Sequence, residues 1–511
     1  MLPTTFVAVV LAGWACFHLM HNFALTNSWF GPAFGQVIQR NNIFISPFKV
    51  SWFTQRWNRY FARIGRCWKL NSWFDAGVLM SMVAMVSSVA LLCHNLFSSF
   101  RDLPFFTKRP SPETTQVLTV IVPGINLPIS DIGYLVVAVM VSGILHEAGH
   151  AVAATREGVH VNGFGVFLFI LYPGAYVDLN TDDISRASPQ KQLRIYCAGV
   201  WHNFIICLLA CAIILSLPYM LLPFYANYRN GVVVTYQNEN SPLYGSKGLH
   251  LGDRIVKIGH CDVTSIPSWF QCINRTQNLP QSGSCIEEES IRNLNFFNGT
   301  LAKLHSLQEN SAASPPLHDC CGENSPPTHL CYRYINGDQE NFACLPGRDM
   351  MLRVDCHSNH DCNGIKAARD RRDLCVVPHL GDQVSRFIRI VVHRGPGRHH
   401  VLYIGQPNDL ARFITVSEYV PRIRHLPLRL PAILLRFMQY LFSMSGALAL
   451  INIVPCYALD GQWAFMAFLD YIYTPRGNTH RKEKICNVVL TSGTILIAAN
   501  VLLGFIRMAS R

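Results

Sequence analysis

Formal charge is what this sequence has least of. Only 14% of its 511 residues are Asp, Glu, Lys or Arg, against roughly 25% in an ordinary soluble domain. That deficit argues against an ordinary water-soluble enzyme. No short repeat appears and apolar content is high, which excludes fibrous, collagenous and fully disordered classes. There is no CxxC pair among the 18 cysteines, so a zinc ribbon has no frame to be built on. The aromatic residues do not interleave with Lys and Arg, so the net charge of +12 reads as lipid-facing or topological, and no nucleic-acid partner is expected.

What stands in place of charge is apolar sequence, 50% of the chain. A bilayer-spanning helix needs roughly 20 such residues. Charge-free runs occur at Met1–Gln39, Ala76–Phe100, Ile195–Tyr228, Phe437–Leu459 and Ile485–Ile506, and Ile132–Leu145 leads straight into His146. Together they predict a multi-pass α-helical membrane protein with the lipid bilayer as its first partner. The first run lacks a basic start and a small-residue cleavage site, so it is expected to be a retained anchor rather than a cleaved signal. Val159–Val177 is uncharged but broken by Gly163, Gly165, Pro173 and Gly174. It reads as a re-entrant or strand-like segment, tolerated only where protein or water satisfies its backbone.

Ten cysteines fall between Cys261 and Cys375, inside the one long polar stretch, about residues 230–429. A disulfide framework in an oxidising compartment accounts for them, with connectivity left open. Two glycosylation sequons, at Asn274 and Asn298, lie in the same stretch and point to a luminal or extracellular loop.

The chemistry is carried by His146-Glu147-Ala148-Gly149-His150. Residues four apart share a helix face, so both imidazoles can hold one ion, with Glu147 beside them to handle a proton. An ionisable triplet after a wholly apolar helix is costly and functional by default. A catalytic zinc takes a third protein ligand. The run after His150 excludes the metzincin extension. Asp178, Asp182 and Asp183 lie at the edge of the broken segment and out of helical frame. Asp460 is the better candidate, the single acid between Arg436 and Asp470. It follows Asn452-Ile453-Val454-Pro455, where a proline and an Asp-Gly pair predict a helix break.

This combination, HEAGH in an apolar helix with a distant NxxPxxxLDG, resembles the site-2 protease family of intramembrane zinc metalloproteases. Asn162-Gly163-Phe164-Gly165, Tyr172-Pro173-Gly174-Ala175 and Gly199-Val200-Trp201-His202-Asn203-Phe204 add to the likeness, which runs from about Ile121 to the C-terminus. The cysteine-rich insertion resembles that of animal members. The resemblance implies one Zn2+ per chain on His146, His150 and Asp460, with Glu147 as general base. It places Asn203 and Asn452 near the site, where they would hold substrate or an oxyanion, or simply bond between helices. It implies substrates that are membrane-anchored transcription factors, sterol regulatory element-binding proteins among them, already cut once by a luminal protease. It also implies residence in the Golgi or endoplasmic reticulum. Gly163 and Gly165 are expected to help present an edge to an unwound substrate.

A luminal β-rich domain is expected within residues 230–429. Ser241-Pro242, Gly248-Leu249 and Gly252-Asp253-Arg254-Ile255 resemble PDZ modules of membrane proteases, interrupted by the cysteine-rich insertion at about 271–378. Strands near Gly231–Thr235, Arg386–Val392 and Val401–Ile404 would complete it. The division expected is 1–120 (N-terminal membrane segments and a basic loop), 121–229 (catalytic membrane core), 230–429, and 430–511 (C-terminal membrane segments with the third ligand). Arg56, Arg59, Arg63, Arg66 and Lys69 crowd the loop after the first span, and the positive-inside rule would put that loop in the cytosol, with a luminal N-terminus. The family resemblance implies a cytosolic N-terminus instead, so the N-terminal topology stays open. The competing classes are a catalytically silent scaffold of the same fold and an ion transporter. The intact ligand pattern argues against the first and the lack of repeated halves against the second.

Overall fold

The computed structural model describes residues 2–67, 70–101, 127–227, 230–295, 320–321, 326–363, 373–380, 384–423, 425–473 and 479–509. Asn298 and Lys69 therefore lie outside the described residues. The chain divides into two compact units, Met1–Leu217 with Leu434–Arg511, and Pro218–Ile433.

The first unit opens with helices α1 (Leu2–Thr26) and α2 (Gly31–Arg40), followed by strands β1 (Ile43–Ser46) and β2 (Lys49–Thr54). A short helix α3 (Asn58–Gly65) leads to the long α4 (Leu70–Arg101) and then α5 (Ile132–Glu157). Gly158 ends α5 in the left-handed conformation, φ 84°, with its N–H donated to Ala154 O, as glycine does at helix ends. The broken apolar segment that follows is a hairpin, β3 (Val161–Phe169) and β4 (Tyr172–Leu179). Helices α6 (Thr181–Arg186) and α7 (Pro189–Leu221) come next. The unit closes with the helices Leu430–Asn452, Asp460–Tyr473 and Thr479–Ala509. Among the described residues six helices are long and apolar enough to cross a membrane, and the chain is a multi-pass membrane protein.

Strands β1 to β4 form one antiparallel sheet in the order β1-β2-β3-β4. Sequence reasoning assigned no strands to Ile43–Thr54, yet Phe53 sits opposite Gly165 and Thr54 opposite Phe164. The glycines admit aromatic rings. A Cβ on Gly163 would strike the Phe53 ring, and one on Gly165 the Tyr176 ring. Both glycines stand on inner strand β3, so the free edge beside the HExxH helix belongs to β4.

The break expected near Pro455 is present, between Asn452 and Asp460. Its backbone groups find partners, as buried peptide groups must. Cys456 N–H bonds to Val454 O, Tyr457 N–H to Thr494 Oγ1 and Ala458 N–H to Gln462 Oε1. Gly493 and Gly461 supply the room, since a Cβ on either would strike a carbonyl of this bend.

The second unit carries β5 (Tyr225–Asn227), β6 (Val232–Gln237), β7 (Arg254–Ile258), β8 (Cys261–Asp262) and helix α8 (Ile266–Asn278). Then come β9 (Gly283–Glu287), β10 (His329–Asn336), β11 (Gln339–Pro346), β12 (Asp355–Cys356) and β13 (Asp373–Pro378). The last strands are β14 (Arg386–Arg394), β15 (Gly397–Gly405), β16 (Ile414–Ser417) and β17 (Tyr419–Pro421). One sheet runs β15-β14-β7-β6-β16, with β8 on β7, and a separate sheet runs β11-β10-β13-β9-β12. The second sheet is built from strands that follow α8, within residues 283–378. Trp269, Cys272 and Ile273 of α8 are buried in the core of the first sheet with Val234, Ile255 and Ile390. The ten clustered cysteines pair as Cys261–Cys272, Cys285–Cys362, Cys320–Cys331, Cys321–Cys344 and Cys356–Cys375. His357 and Asp361 make a loop cap, with His357 N–H and Ser358 N–H donated to Asp361 Oδ2, which holds that exposed carboxyl below its ordinary pKa.

Candidate metal centre

His146 and His150 lie on one face of α5, both nearly fully buried. The bend after Asn452 returns the chain so that Asp460, at the start of its helix, points at them. His146 Nε2 is 2.8 Å from Asp460 Oδ2, His150 Nε2 is 3.2 Å from the same oxygen, and the two Nε2 atoms are 3.2 Å apart. Two imidazole nitrogens and a carboxylate oxygen thus meet at one point, all within 4.8 Å.

The far side of each ring is fixed. His150 Nδ1 lies 2.7 Å from Ile195 O, so it carries a proton donated to that carbonyl and leaves Nε2 as a lone pair facing Asp460. The Asn203 amide lies 3.1 Å from His146 Nδ1. Asn203 is fully buried and its Oδ1 has no partner among the described residues. Turned oxygen-first, the amide accepts the Nδ1–H of His146 and Nε2 of that ring too presents a lone pair. The asparagine therefore fixes the His146 ring from a neighbouring helix. Asn452 Nδ2 stands 3.4 Å from His146 Nε2, on the donor side of the ring.

Gly199 forms the floor. A Cβ there would lie 2.6 Å from His146 Nε2 and would collide with His150 Nε2. Donor chemistry, ring tautomers and this cradle all fit a zinc ion on two histidines and an aspartate. Gly199 and the Ile195 carbonyl carried no assigned role in the sequence. A backbone carbonyl leaves no residue signature, and Gly199 could be recognised only by its place one helical turn before Asn203.

Glu147 faces the opposite partner. Its Oε2 accepts the Val177 N–H of edge strand β4 at 3.0 Å, which holds one carboxylate oxygen and leaves Oε1. His202 is packing: its Nδ1 is 2.7 Å from Ala198 O, and a Cβ on Gly149 would meet its ring. Asp182 and Asp183 serve the start of α6, where both N–H groups bond Asn180 Oδ1, and Asp183 Oδ2 accepts His160 N–H. Ser142 and Ser445, 2.7 Å apart, and the pair Asp131–Arg436 at 2.9 Å hold α5 against the Leu430–Asn452 helix.

A buried two-histidine, one-aspartate site set among apolar helices, with a carboxylate beside it, defines a membrane-embedded metallohydrolase class of fold and site. The family model of peptidase family M50 matches residues 134–498, a span that holds all four of these groups and most of the chain. The protein belongs to peptidase family M50. It is 25% identical over 469 residues, 85% of this chain and 87% of the relative, to the membrane-bound transcription factor site-2 protease homolog of Arabidopsis thaliana.

Proposed function

We propose that the protein is an intramembrane zinc metalloprotease. It would hydrolyse a peptide bond in or near a transmembrane helix of membrane-anchored transcription factors, sterol regulatory element-binding proteins among them, after a first luminal cut. The observation that carries the reading is the convergence of His146, His150 and Asp460 with Glu147 alongside. Zinc, when bound by those three, supplies Lewis acidity to a water and to the scissile carbonyl. Glu147, steadied through Oε2, takes the proton of the attacking water on its other oxygen and passes it to the leaving nitrogen. Asn452 reaches the same side of the site, where it can hold a substrate carbonyl or the oxyanion.

A substrate helix must unwind before attack, because its peptide groups are locked in their own hydrogen bonds. The unwound strand would lie along β4, the edge strand against α5, rather than on the glycines of β3. Gly163 and Gly165 then act by making room for aromatic rings.

The β-rich unit is assigned to the lumen of the Golgi or endoplasmic reticulum, as a PDZ-like domain with a disulfide-bonded insertion. Five disulfides support that side, and Asn274 would carry glycan there. A unit of this bulk would turn away substrates still carrying a large luminal domain.

The test is zinc content and cleavage of a membrane-helix substrate by the purified full chain, with Glu147→Gln beside it. One zinc per chain in both, with cleavage only by the wild type, is the expected result. Stoichiometric zinc without Glu147-dependent cleavage would instead indicate a scaffold, and a wild type without zinc would sink the reading.

A further inference from the structure

The basic stretch Arg56–Arg66 plays no part in the metal site, and its three faces differ sharply. Asn58, Phe61 and Gly65 face inward. Phe61 is buried, the Asn58 amide donates to Val161 O at 2.8 Å, and a Cβ on Gly65 would strike Thr155. One residue back, Trp57, Tyr60 and Ile64 form a second stripe, exposed by 51%, 62% and 53%. One further back, Arg56, Arg59, Arg63 and Arg66 form a third, all exposed. Spacings of three and four residues keep each stripe on its own side of the helix. Among the described residues none of the four arginines has an acidic partner, whereas nearby Arg194 is paired with both Asp75 and Glu157.

Depth in the membrane follows from two independent neighbours. Helix α3 stands just before α4, whose candidate span is Asn71–Arg101. It also packs on the last turns of α5, where Thr155 Oγ1 donates to Phe61 O at 3.2 Å and the candidate span ends at Glu157. Both place α3 at a membrane boundary. An open cavity of about 630 Å³ lies there, lined by Gln55, Arg56, Asn58, Arg59, His160 and Asn162.

We propose that α3 is an interfacial helix that binds the phosphate groups of anionic phospholipids. Trp57, Tyr60 and Ile64 enter the acyl boundary, and the arginine stripe and the Arg56/Arg59 cavity hold headgroup phosphates. Exposed aromatics beside unpaired guanidinium groups suit a bilayer surface, which offers both chemistries at one depth. An acidic protein segment would leave the Trp57/Tyr60/Ile64 stripe in water.

The experiment uses the full chain in detergent and in vesicles. Native mass spectrometry would count retained phosphatidylserine and phosphatidylcholine for the wild type, for Arg56→Gln/Arg59→Gln/Arg63→Gln/Arg66→Gln, and for the matching four-lysine variant. Each cation near an anionic surface is worth about 1 kcal/mol, roughly fivefold. The glutamine variant should lose at least tenfold in preference for phosphatidylserine, with the lysine variant keeping most of it and high salt abolishing it. Equal preference in wild type and glutamine variant overturns the proposal. So does displacement of the lipid by millimolar inorganic phosphate, which would mean a site for free anions. Wild-type zinc content in the glutamine variant checks that it is folded.

Discussion

The two units differ in what they do with their buried polar groups. In the membrane unit His146, His150 and Asp460 converge on one point, with Asn203 behind the His146 ring, and the cysteines of that unit that lie in its helices and bends remain free thiols. In the β-rich unit the ten cysteines are all paired, and a buried carboxylate such as Asp253 is closed by Arg394 at once. An apolar solvent makes every buried charge expensive, so those that persist are either paired, as Asp131 is with Arg436, or gathered where a ligand can use them. The small sheet β11-β10-β13-β9-β12, with a modest apolar core around Ile286, Tyr332 and Leu345, is held by covalent cross-links instead.

The largest expected effects break the metal centre. Asp460→Ala or His150→Ala should remove zinc and cleavage together. Glu147→Gln should leave zinc in place and lower the cleavage rate by about 10²–10⁴-fold, the usual worth of a positioned general base. Gly199→Ala gives a sharper result, because it alters no donor: its methyl would intrude on both Nε2 atoms, so metal analysis should show zinc lost from a protein whose ligands are all present. Full zinc occupancy in Gly199→Ala would mean that the floor of the site yields and the cradle is not selective.

The same contrast governs what could be read from residues alone. The meeting of His146, His150 and Asp460 was legible because an ionisable group inside a charge-free apolar run is costly and rarely stands there alone. That Val159–Val177 departs from a helix was legible from its glycines and proline, though not that it forms a hairpin, Val161–Leu179. The hairpin Ile43–Thr54 was not, since its partner strand lies more than a hundred residues away and its burial alternates only weakly. Disulfide pairing was hidden for a similar reason. Cys285 joins Cys362 across 77 residues, a link between β9 and the short helix Asn359–Asn363 rather than one set by local spacing. Cys272 groups by composition with the cysteine cluster, whereas by packing it lies with the rest of α8 in the core of the first sheet.

Next in size come the cross-links. In the chain-entropy picture the Cys285–Cys362 link is worth about 4.5 kcal/mol and an 11-residue link such as Cys261–Cys272 about 2.8 kcal/mol. Cys285→Ser/Cys362→Ser should therefore lower the thermal midpoint of the β-rich unit more than Cys261→Ser/Cys272→Ser. Limited proteolysis should find the cuts of the first variant inside 283–378. Replacing the buried Cys197 with alanine should leave that transition unchanged. Equal losses from both pairs would show that native-state strain or denatured-state structure, rather than loop length, sets their worth.

The smallest effects divide the ion pairs of the β-rich unit itself. Arg394 donates to both oxygens of Asp253, at 2.7 Å from Nε and 2.6 Å from Nη2, and Asp253 is 1% exposed. Asp253 also accepts the His250 N–H at 2.8 Å, which fixes the turn into β7. Arg394→Ala would leave a buried carboxylate without its cation, a loss of about 3 kcal/mol. Arg333–Glu340, with side chains 52% and 40% exposed, spans the β10–β11 hairpin in water. Arg333→Ala should then cost under about 1 kcal/mol, and that little should fade with salt. The difference follows from solvent access, since both are arginine–carboxylate pairs, one at the start of β7 and the other within the β10–β11 hairpin. Denaturant titration of the two variants reads it directly. Comparable losses would mean that burial of Asp253 does not govern the pair, and that the polar groups of this unit are stabilised by the disulfide-braced backbone around them.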